Sequence, residues 1–278
     1  MTHATHATTG LVGDVGGERT RTFFGQLAAV HQVVVALILR ETRTRFGNSG
    51  FGFLWSLLEP LLFVGGVVVI RSAIRDSTPF GESLVLFLAT GLLLFRVFVG
   101  VSNGMGNSIT SNRALLAYPP VKPTDVLVAR GILDVMVMCF VIVVFFLALA
   151  WISDTKVVAD VPSLLGGVGA VMLLGVGVGT FNAVVMVIVP TWRLIYGVLR
   201  LPLLVTSGAF YVPLSMPPEI RAVIWWNPVL HCVEWLRTGV YLTYNPMLSV
   251  TYVIGLSCAL LLAGLALERL YRFKLLVK

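Results

Sequence analysis

Four ionisable residues, Glu59, Arg96, Asp134 and Arg200, stand inside otherwise apolar stretches of this 278-residue chain. A charge at membrane depth is costly, so such residues either line a polar path or pair with one another. As a path they would pass a charged or hydroxylated substrate; as pairs they would be structural. Arg130 and Asp134 are at i and i+4, one turn apart on a single helix face, where they can satisfy each other. Glu59 and Arg96 have no such neighbour in sequence and stay open between the two readings. A second constellation is the order Arg40, Arg43, Arg45 and then Phe51, Phe53, Trp55. Cations there can hold an anionic head group while aromatic faces stack on sugar rings.

Other chemistry is missing. No GxxxxGK[ST] loop, HExxH, GxSxG or paired-acid motif is present, so the usual phosphate-loop route to ATP hydrolysis is closed to this chain. Of four histidines, two lie in the N-terminal tail. They form no metal cluster, and His231 is expected to be structural. There is no run of acids, histidines or helix breaks of the kind that serves ion-coupled carriers. A transporter built on this chain must therefore draw its energy from another subunit.

The elements that position these residues lie in a membrane. Of the residues, 57% are hydrophobic and only 12% charged, with a mean hydropathy of +0.93, where a soluble domain carries roughly 25% charge. The expected fold is all-α and integral to the membrane. A net charge of +7 suits nucleic acid in a soluble protein, but here it fits basic residues gathered at cytoplasmic span ends, and no nucleic-acid partner is expected. Cys139, Cys232 and Cys258 are odd in number and far apart, which fits ordinary buried thiols better than disulfides or a metal site. Residues 1–21 are polar and Gly/Thr-rich with no signal-peptide pattern, and a disordered cytoplasmic tail is expected there.

Residues 22–46 are expected to form an amphipathic interfacial helix. The apolar run Leu27 to Leu39 is too short to cross, contains His31 and Gln32, and spaces Leu27, Val30, Val34, Leu37 and Ile38 on one helical face. Residues 47–278 form the membrane domain, with six expected spans: Phe51 to Ile70, Ser83 to Val101, Val126 to Ile152, Pro162 to Val189, Trp192 to Tyr211 and Leu248 to Leu267. Thirteen Lys and Arg fall on one side of this arrangement and five on the other, which puts both termini in the cytoplasm. Trp151, Trp225, Trp226 and Trp235 then fall at outer boundaries, as an interfacial belt would. Gly100xxxGly104 and Gly175xxxGly179 permit close helix approach.

Two connections are more than turns. The cytoplasmic loop Ser102 to Asp125 contains NRALLAYPPVKP from Asn112 to Pro123, where the prolines fix the exit from a short helix and form a handle for a partner. The segment Pro213 to Asn245 mixes four prolines with the apolar runs Ala222 to Trp226 and Val229 to Leu236. Each run is too short to cross, so re-entrant or interfacial helices on the outer side are expected between spans five and six.

At these residues the chain resembles a known family. The run RETRTRFGNSGFGFLWSLLEP, Arg40 to Pro60, resembles the start of ABC-2 type permeases that export bacterial polysaccharides. Further likenesses follow in order at Asn112 to Arg130, Pro190-Thr191-Trp192, Ser207-Gly208 to Pro213, and NPVLHCVEWLRTG from Asn227 to Gly239. The resemblance covers about residues 22 to 275 and is greatest to the capsular polysaccharide exporters of Gram-negative bacteria. Phe51 departs from the family pattern, where leucine is more usual, a difference confined to local packing.

The resemblance implies a homodimeric permease subunit in the inner membrane. It binds no cofactor of its own, and two separate cytoplasmic ATPase subunits use ATP and Mg. It implies ATPase contact through Gln26 to Arg45 and Asn112 to Pro123, hence coupling roles for Glu41, Asn112, Arg113, Leu115, Tyr118, Pro119, Lys122 and Pro123. The pathway would run between protomers near spans one and five. From the Arg-then-aromatic order at the start of span one, Arg40, Arg43, Arg45, Phe51, Phe53, Trp55, Glu59 and Arg96 are expected at its entry. The outer re-entrant helices, Pro217 to Tyr241, would cap it through Pro217, Trp225, Trp226, Asn227, His231, Glu234 and Arg237. A periplasmic polysaccharide co-polymerase and an outer-membrane export channel are implied partners, alongside membrane lipid, and the implied cargo is a lipid-linked anionic polysaccharide. Three other readings stay open: the same class with O-antigen, teichoic acid or a small lipid or drug as cargo; a membrane enzyme acting on lipid-linked sugars, which needs convergent catalytic groups; and a passive channel or scaffold, which needs no ATPase.

Overall fold

The computed structural model describes residues 23–46, 51–74, 78–81, 83–116, 121–152 and 158–277. The N-terminal tail lies outside the described residues. Among them every regular element is helical: α1 (Phe23–Phe46), α2 (Phe51–Ala73), α3 (Leu84–Gly106), the short α4 (Ser108–Ser111) and α5 (Arg113–Leu116), α6 (Pro123–Ile152), α7 (Val161–Ile188), α8 (Trp192–Val205), α9 (Pro218–Ile224), α10 (Pro228–Val240) and α11 (Val250–Val277), with a 3-10 turn at Pro213–Ser215. Among the described residues, four helices, α3, α6, α7 and α11, are long and apolar enough to cross a membrane.

Local chemistry sets the ends. Ser83 caps α3 by accepting from the Leu86 amide at 3.2 Å, and Asp160 caps α7 by accepting from the Ser163 amide at 3.1 Å, with Pro162 in its first turn. The second expected span runs on past Val101 to Gly106, and Asn107 then caps it, its side-chain amide donating to the Asn103 carbonyl at 2.9 Å. Helix α11 runs on past Leu267 to Val277, through a charged segment where Glu268 and Arg272 stand one turn apart. The fifth expected span is shorter than predicted. Helix α8 is 14 residues long, about 21 Å, and stops just after Pro202. There the Thr206 amide closes back to the Pro202 carbonyl at 2.9 Å, and Gly208 takes φ +72°, a left-handed turn that favours glycine.

The body is built on α7, which packs most extensively against α11, α3 and α10. Glycines on three of its sides make this possible. A Cβ at Gly179 would sit 2.6 Å from the Met105 Cβ of α3, one at Gly177 2.5 Å from the Ser257 carbonyl of α11, and one at Gly167 2.6 Å from the Leu236 amide of α10. The helices approach to backbone contact, as the spacing of Gly175 and Gly179 anticipates. Around this spine, α3 is buried through its central turns, including Phe87, Leu88, Leu92, Leu93 and Leu94. A second apolar cluster, with Val34, Leu37, Ile109, Val126, Val184 and Leu275, joins α1 and α4 to α6, α7 and α11.

The cysteines correct one expectation: Cys232 is buried, whereas Cys139 and Cys258 face outward. They stand on α6 and α11, two helices long and apolar enough to cross a membrane, and a thiol is a small apolar group that needs no protein partner in apolar surroundings. Of the four tryptophans expected in a belt, Trp151 and Trp226 face outward and Trp225 is half-buried. Trp235 instead packs against Gly166.

Because the α7 contacts leave no room for a side chain, Gly179→Leu is expected to cost about 1–3 kcal/mol or more. Folded yield and melting temperature, read by fluorescence-detected gel filtration, should fall. Gly169→Ala, where nothing lies within 4 Å, should leave both unchanged.

Candidate functional site

Three polar clusters hold the functional candidates. The first ties α1 to the segment 108–116 and to α6. Arg130 on α6 donates from Nη1 to Glu41 Oε1 on α1 and from Nε to Asp134 Oδ2 at 2.9 Å. Glu41 Oε2 also accepts from Asn112 Nδ2 at 3.4 Å, and Asn112 Oδ1 accepts from Arg40 at 3.0 Å. Asn112 itself ends α4, donating to the Ser108 carbonyl at 3.0 Å. The expected i,i+4 pair is therefore present, and it is one half of a three-member network. The Asp134 side chain is fully buried and those of Arg130 and Glu41 largely so. It lies against Gly104 of α3, where a Cβ would stand 2.6 Å from the carboxylate carbon.

Of the residues expected to couple to a partner, Glu41 and Asn112 are in this network, Pro123 opens α6 and is buried, Leu115 is half-buried, and Arg113 and Lys122 are exposed. Tyr118 and Pro119 lie outside the described residues.

The second cluster is at the α2–α3 contact. Arg96 donates to Glu59 across the helices, and its guanidinium lies 5.2 Å from the centre of the Phe63 ring. The pair faces partly outward, Glu59 being about half exposed. Trp55, one turn before Glu59, is exposed, as are Leu58 and Leu62, so α2 presents an outward face with one carboxylate in it. Arg40 and Arg43 are exposed on α1 and line an open hollow of about 510 Å³ with Ala36, Leu39 and Thr44. The side chains of Arg45, Phe51 and Phe53 lie outside the described residues. Arg200 on α8 packs over the Tyr196 ring at 5.9 Å, and the Tyr196 hydroxyl bonds Ser102 of α3 at 2.7 Å.

The third cluster sits at α9 and α10. Asn227 caps α10 by accepting from the Val229 amide at 2.9 Å. Its Nδ2 donates to the Leu203 carbonyl and to Thr206 Oγ1, both at 2.8 Å, so one side chain fastens the end of α8 to the start of α10. His231 donates from Nε2 to the Trp225 carbonyl at 2.9 Å and accepts at Nδ1 from the Ser249 amide at 3.1 Å. That arrangement requires the neutral Nε2–H tautomer, and burial lowers the ring's pKa from its ordinary value. Glu234 and Arg237 are fully buried, 3.5 Å apart. Arg237 stacks on Phe87 at 3.8 Å and donates to the carbonyls of Gly208 at 2.8 Å and Ala209 at 3.3 Å. Glu234 accepts from the Tyr244 hydroxyl at 2.6 Å and the Met247 amide at 2.8 Å. Burial raises the Glu234 pKa, with Arg237 opposing.

The expected outer-gate residues thus divide. Pro217 and Trp226 are exposed, Trp225 is half-buried against Tyr252 and His231, and Asn227, His231, Glu234 and Arg237 form an internal lock. Two partners escaped sequence reasoning: the carbonyls of the Gly208 turn, and the pairing of Glu41 with Arg130, 89 residues apart. A lone acid beside three arginines carries no signal of which distant cation it meets. Among the described residues, no group of His, Cys, Asp and Glu could hold a metal ion.

With this geometry in hand, comparison with known proteins is specific. The family profile for the ABC-2 type transporter matches residues 32–241. The polysialic acid transport protein KpsM of Escherichia coli is 31% identical over 237 residues, spanning 85% of this chain and 92% of KpsM. The capsule polysaccharide export inner-membrane protein CtrC of Neisseria meningitidis serogroup B is 29% identical over 253 residues, covering 88% and 93% of the two chains. The corresponding protein BexB of Haemophilus influenzae is 28% identical over 257 residues, covering 91% and 96%.

Two predictions follow from the lock. Removing one member of a buried ion pair strands the other, at about 3–5 kcal/mol, so Arg237→Met should lower the melting temperature by several degrees. The double variant Arg237→Met/Glu234→Gln should recover part of that loss. For His231, a depressed folded pKa means the unfolded chain takes up the proton first. Its stabilising contribution is complete above about pH 6.5 and is lost as pH falls below that value. The melting temperature of His231→Asn should therefore fall less than that of the unsubstituted chain between pH 7 and 5.5. Glu234, which acts in the opposite sense, is common to both proteins.

Proposed function

The chain belongs to the ABC-2 type transporter family, and we propose that it is the membrane permease subunit of an ATP-driven exporter of lipid-linked capsular polysaccharide. It is a multi-pass protein of the bacterial inner membrane, not itself an enzyme. In this reading α2 and α8 complete six spans, both termini are cytoplasmic, α1 lies along the membrane surface, and α9 and α10 re-enter from the outer side. Two copies pair, and two cytoplasmic ATPase subunits dock on α1 and the segment Asn112 to Pro123. A periplasmic co-polymerase and an outer-membrane channel carry the polymer onward.

The observation that carries the mechanism is the Glu41–Arg130–Asp134 network, with Asn112 bonded to it. The two elements that would meet the ATPase are fastened to one another and to α6. A push on either reaches a transmembrane helix through charge-assisted hydrogen bonds, which are short and directional. Closure of the ATPase pair would then shift α2 against α8 across the dimer and advance the polymer. Arg40 and Arg43, beside their open hollow, would collect the anionic lipid-linked end, with Arg45, Phe51 and Phe53 expected next to them. Trp55, Glu59 and Arg96 would line its entry.

Deleting the gene should abolish surface capsule and leave O-antigen intact, and the purified chain should retain an ATPase partner. Loss of O-antigen alone would redirect the cargo, and a homogeneous chain without an ATPase would remove the transporter reading. Within the complex, Glu41→Gln should lower export about tenfold or more while the ATPase stays bound. Unchanged export would contradict the coupling role.

A further inference from the structure

A groove of about 440 Å³ runs between α6 and α11, floored by α3 and α7. Its walls carry Val128, Ile132 and Val135 of α6 and Leu261 and Leu265 of α11, and Thr180 is its single polar lining residue. Both walls belong to helices long and apolar enough to cross a membrane, and α11 is the least buried of the four. Val128 and Ile132 face outward, so the groove opens at bilayer depth. An apolar hollow offers water no hydrogen-bond partners, and hydrocarbon is the only solvent at that depth that does not pay for entering it.

Beyond the groove's lining residues α11 turns cationic. Leu261, Leu265 and Arg269 follow at i, i+4 and i+8 on α11, with Arg272 three residues on, so one stripe of the helix passes from apolar to cationic. Arg269 is exposed, and Arg272 is partly exposed beside the buried Glu268, at 3.8 Å. Leu261 and Arg269 are separated by about 12 Å along the helix. A hydrocarbon slot followed along α11 by two guanidinium groups has the profile of a phospholipid with an anionic head group, since Arg pairs well with phosphate.

We propose that this groove is a binding site for one anionic phospholipid of the surrounding bilayer, its acyl chain between α6 and α11 and its phosphate at Arg269 and Arg272. The proposal rests on the membrane-permease reading only in placing the groove within the bilayer, and its test needs neither ATP nor polysaccharide. The full chain, with its co-purifying partners, would be exchanged into mixed vesicles of phosphatidylglycerol and phosphatidylcholine, re-extracted in mild detergent, and its retained lipid counted by native mass spectrometry. The unsubstituted chain should keep about one phosphatidylglycerol per protomer. Leu265→Trp, and separately Val128→Phe on the opposite wall, should lose it while remaining monodisperse on gel filtration. Arg269→Gln/Arg272→Gln should keep a lipid but lose the preference for phosphatidylglycerol by about tenfold. Equal retention of the two lipids by the unsubstituted chain would overturn the proposal. So would unchanged retention in both groove-filling variants, or a retained lipid that carries glycan.

Discussion

A largely buried guanidinium has to meet its counter-charges, and for Arg130 these come from two directions. Asp134 supplies one from its own helix and Glu41 the other from α1. Because Asp134 is fully buried and Glu41 nearly so, removing the cation would strand two carboxylates, and removing either carboxylate would leave the cation half-paired. The position of α1 is therefore not free. Val34 and Leu37 supply its apolar contact, and Glu41 fixes its register on α6. Asn112, bonded to both Arg40 and Glu41, brings the segment after α3 into the same assembly.

The opposite end of the bundle is fastened by a different device. Arg237 gathers the carbonyls of the Gly208 turn onto α10, Glu234 holds the segment leading to α11, and Asn227 clamps the end of α8. Between the two ends, α7 is joined to α3, α10 and α11 at backbone distance by its glycines. Close-packed interfaces of this kind transmit displacement and do not absorb it. Helix α2 joins this body through Glu59–Arg96 and an apolar stripe, and α8 joins it through Tyr196–Ser102, the Trp192 indole on Asn182, Arg193 on Thr110, and Asn227. In the proposed export cycle these two helices move against that body.

Much of this architecture was legible in the residues. Apolar run length located the long helices, Gly175 and Gly179 marked a close approach, and the Arg130–Asp134 spacing foretold a pair. The ends were harder. Helix α3 runs on to the Asn107 cap, and α8 gives way to the left-handed Gly208 turn, local features that hydropathy averages away. The candidate sites were legible by segment more than by role. Asn227, His231, Glu234 and Arg237 were expected at an outer gate, but apolar surroundings give no periodicity to indicate that they point inward. Glu59 and Arg96, 37 residues apart, could be matched only once α2 and α3 were placed side by side.

In the proposed export cycle α1, the segment 108–116 and the start of α6 move as one body when the ATPase works. The most direct test is a spin-label distance pair between α1 and α6 in the full transporter, at outward-facing positions 39 and 128, with a second pair joining α2 to α10. The account predicts that ATP binding leaves the α1–α6 distance distribution unchanged and shifts that of α2–α10. An α1–α6 distance that changes with nucleotide while α2–α10 stays fixed would contradict it.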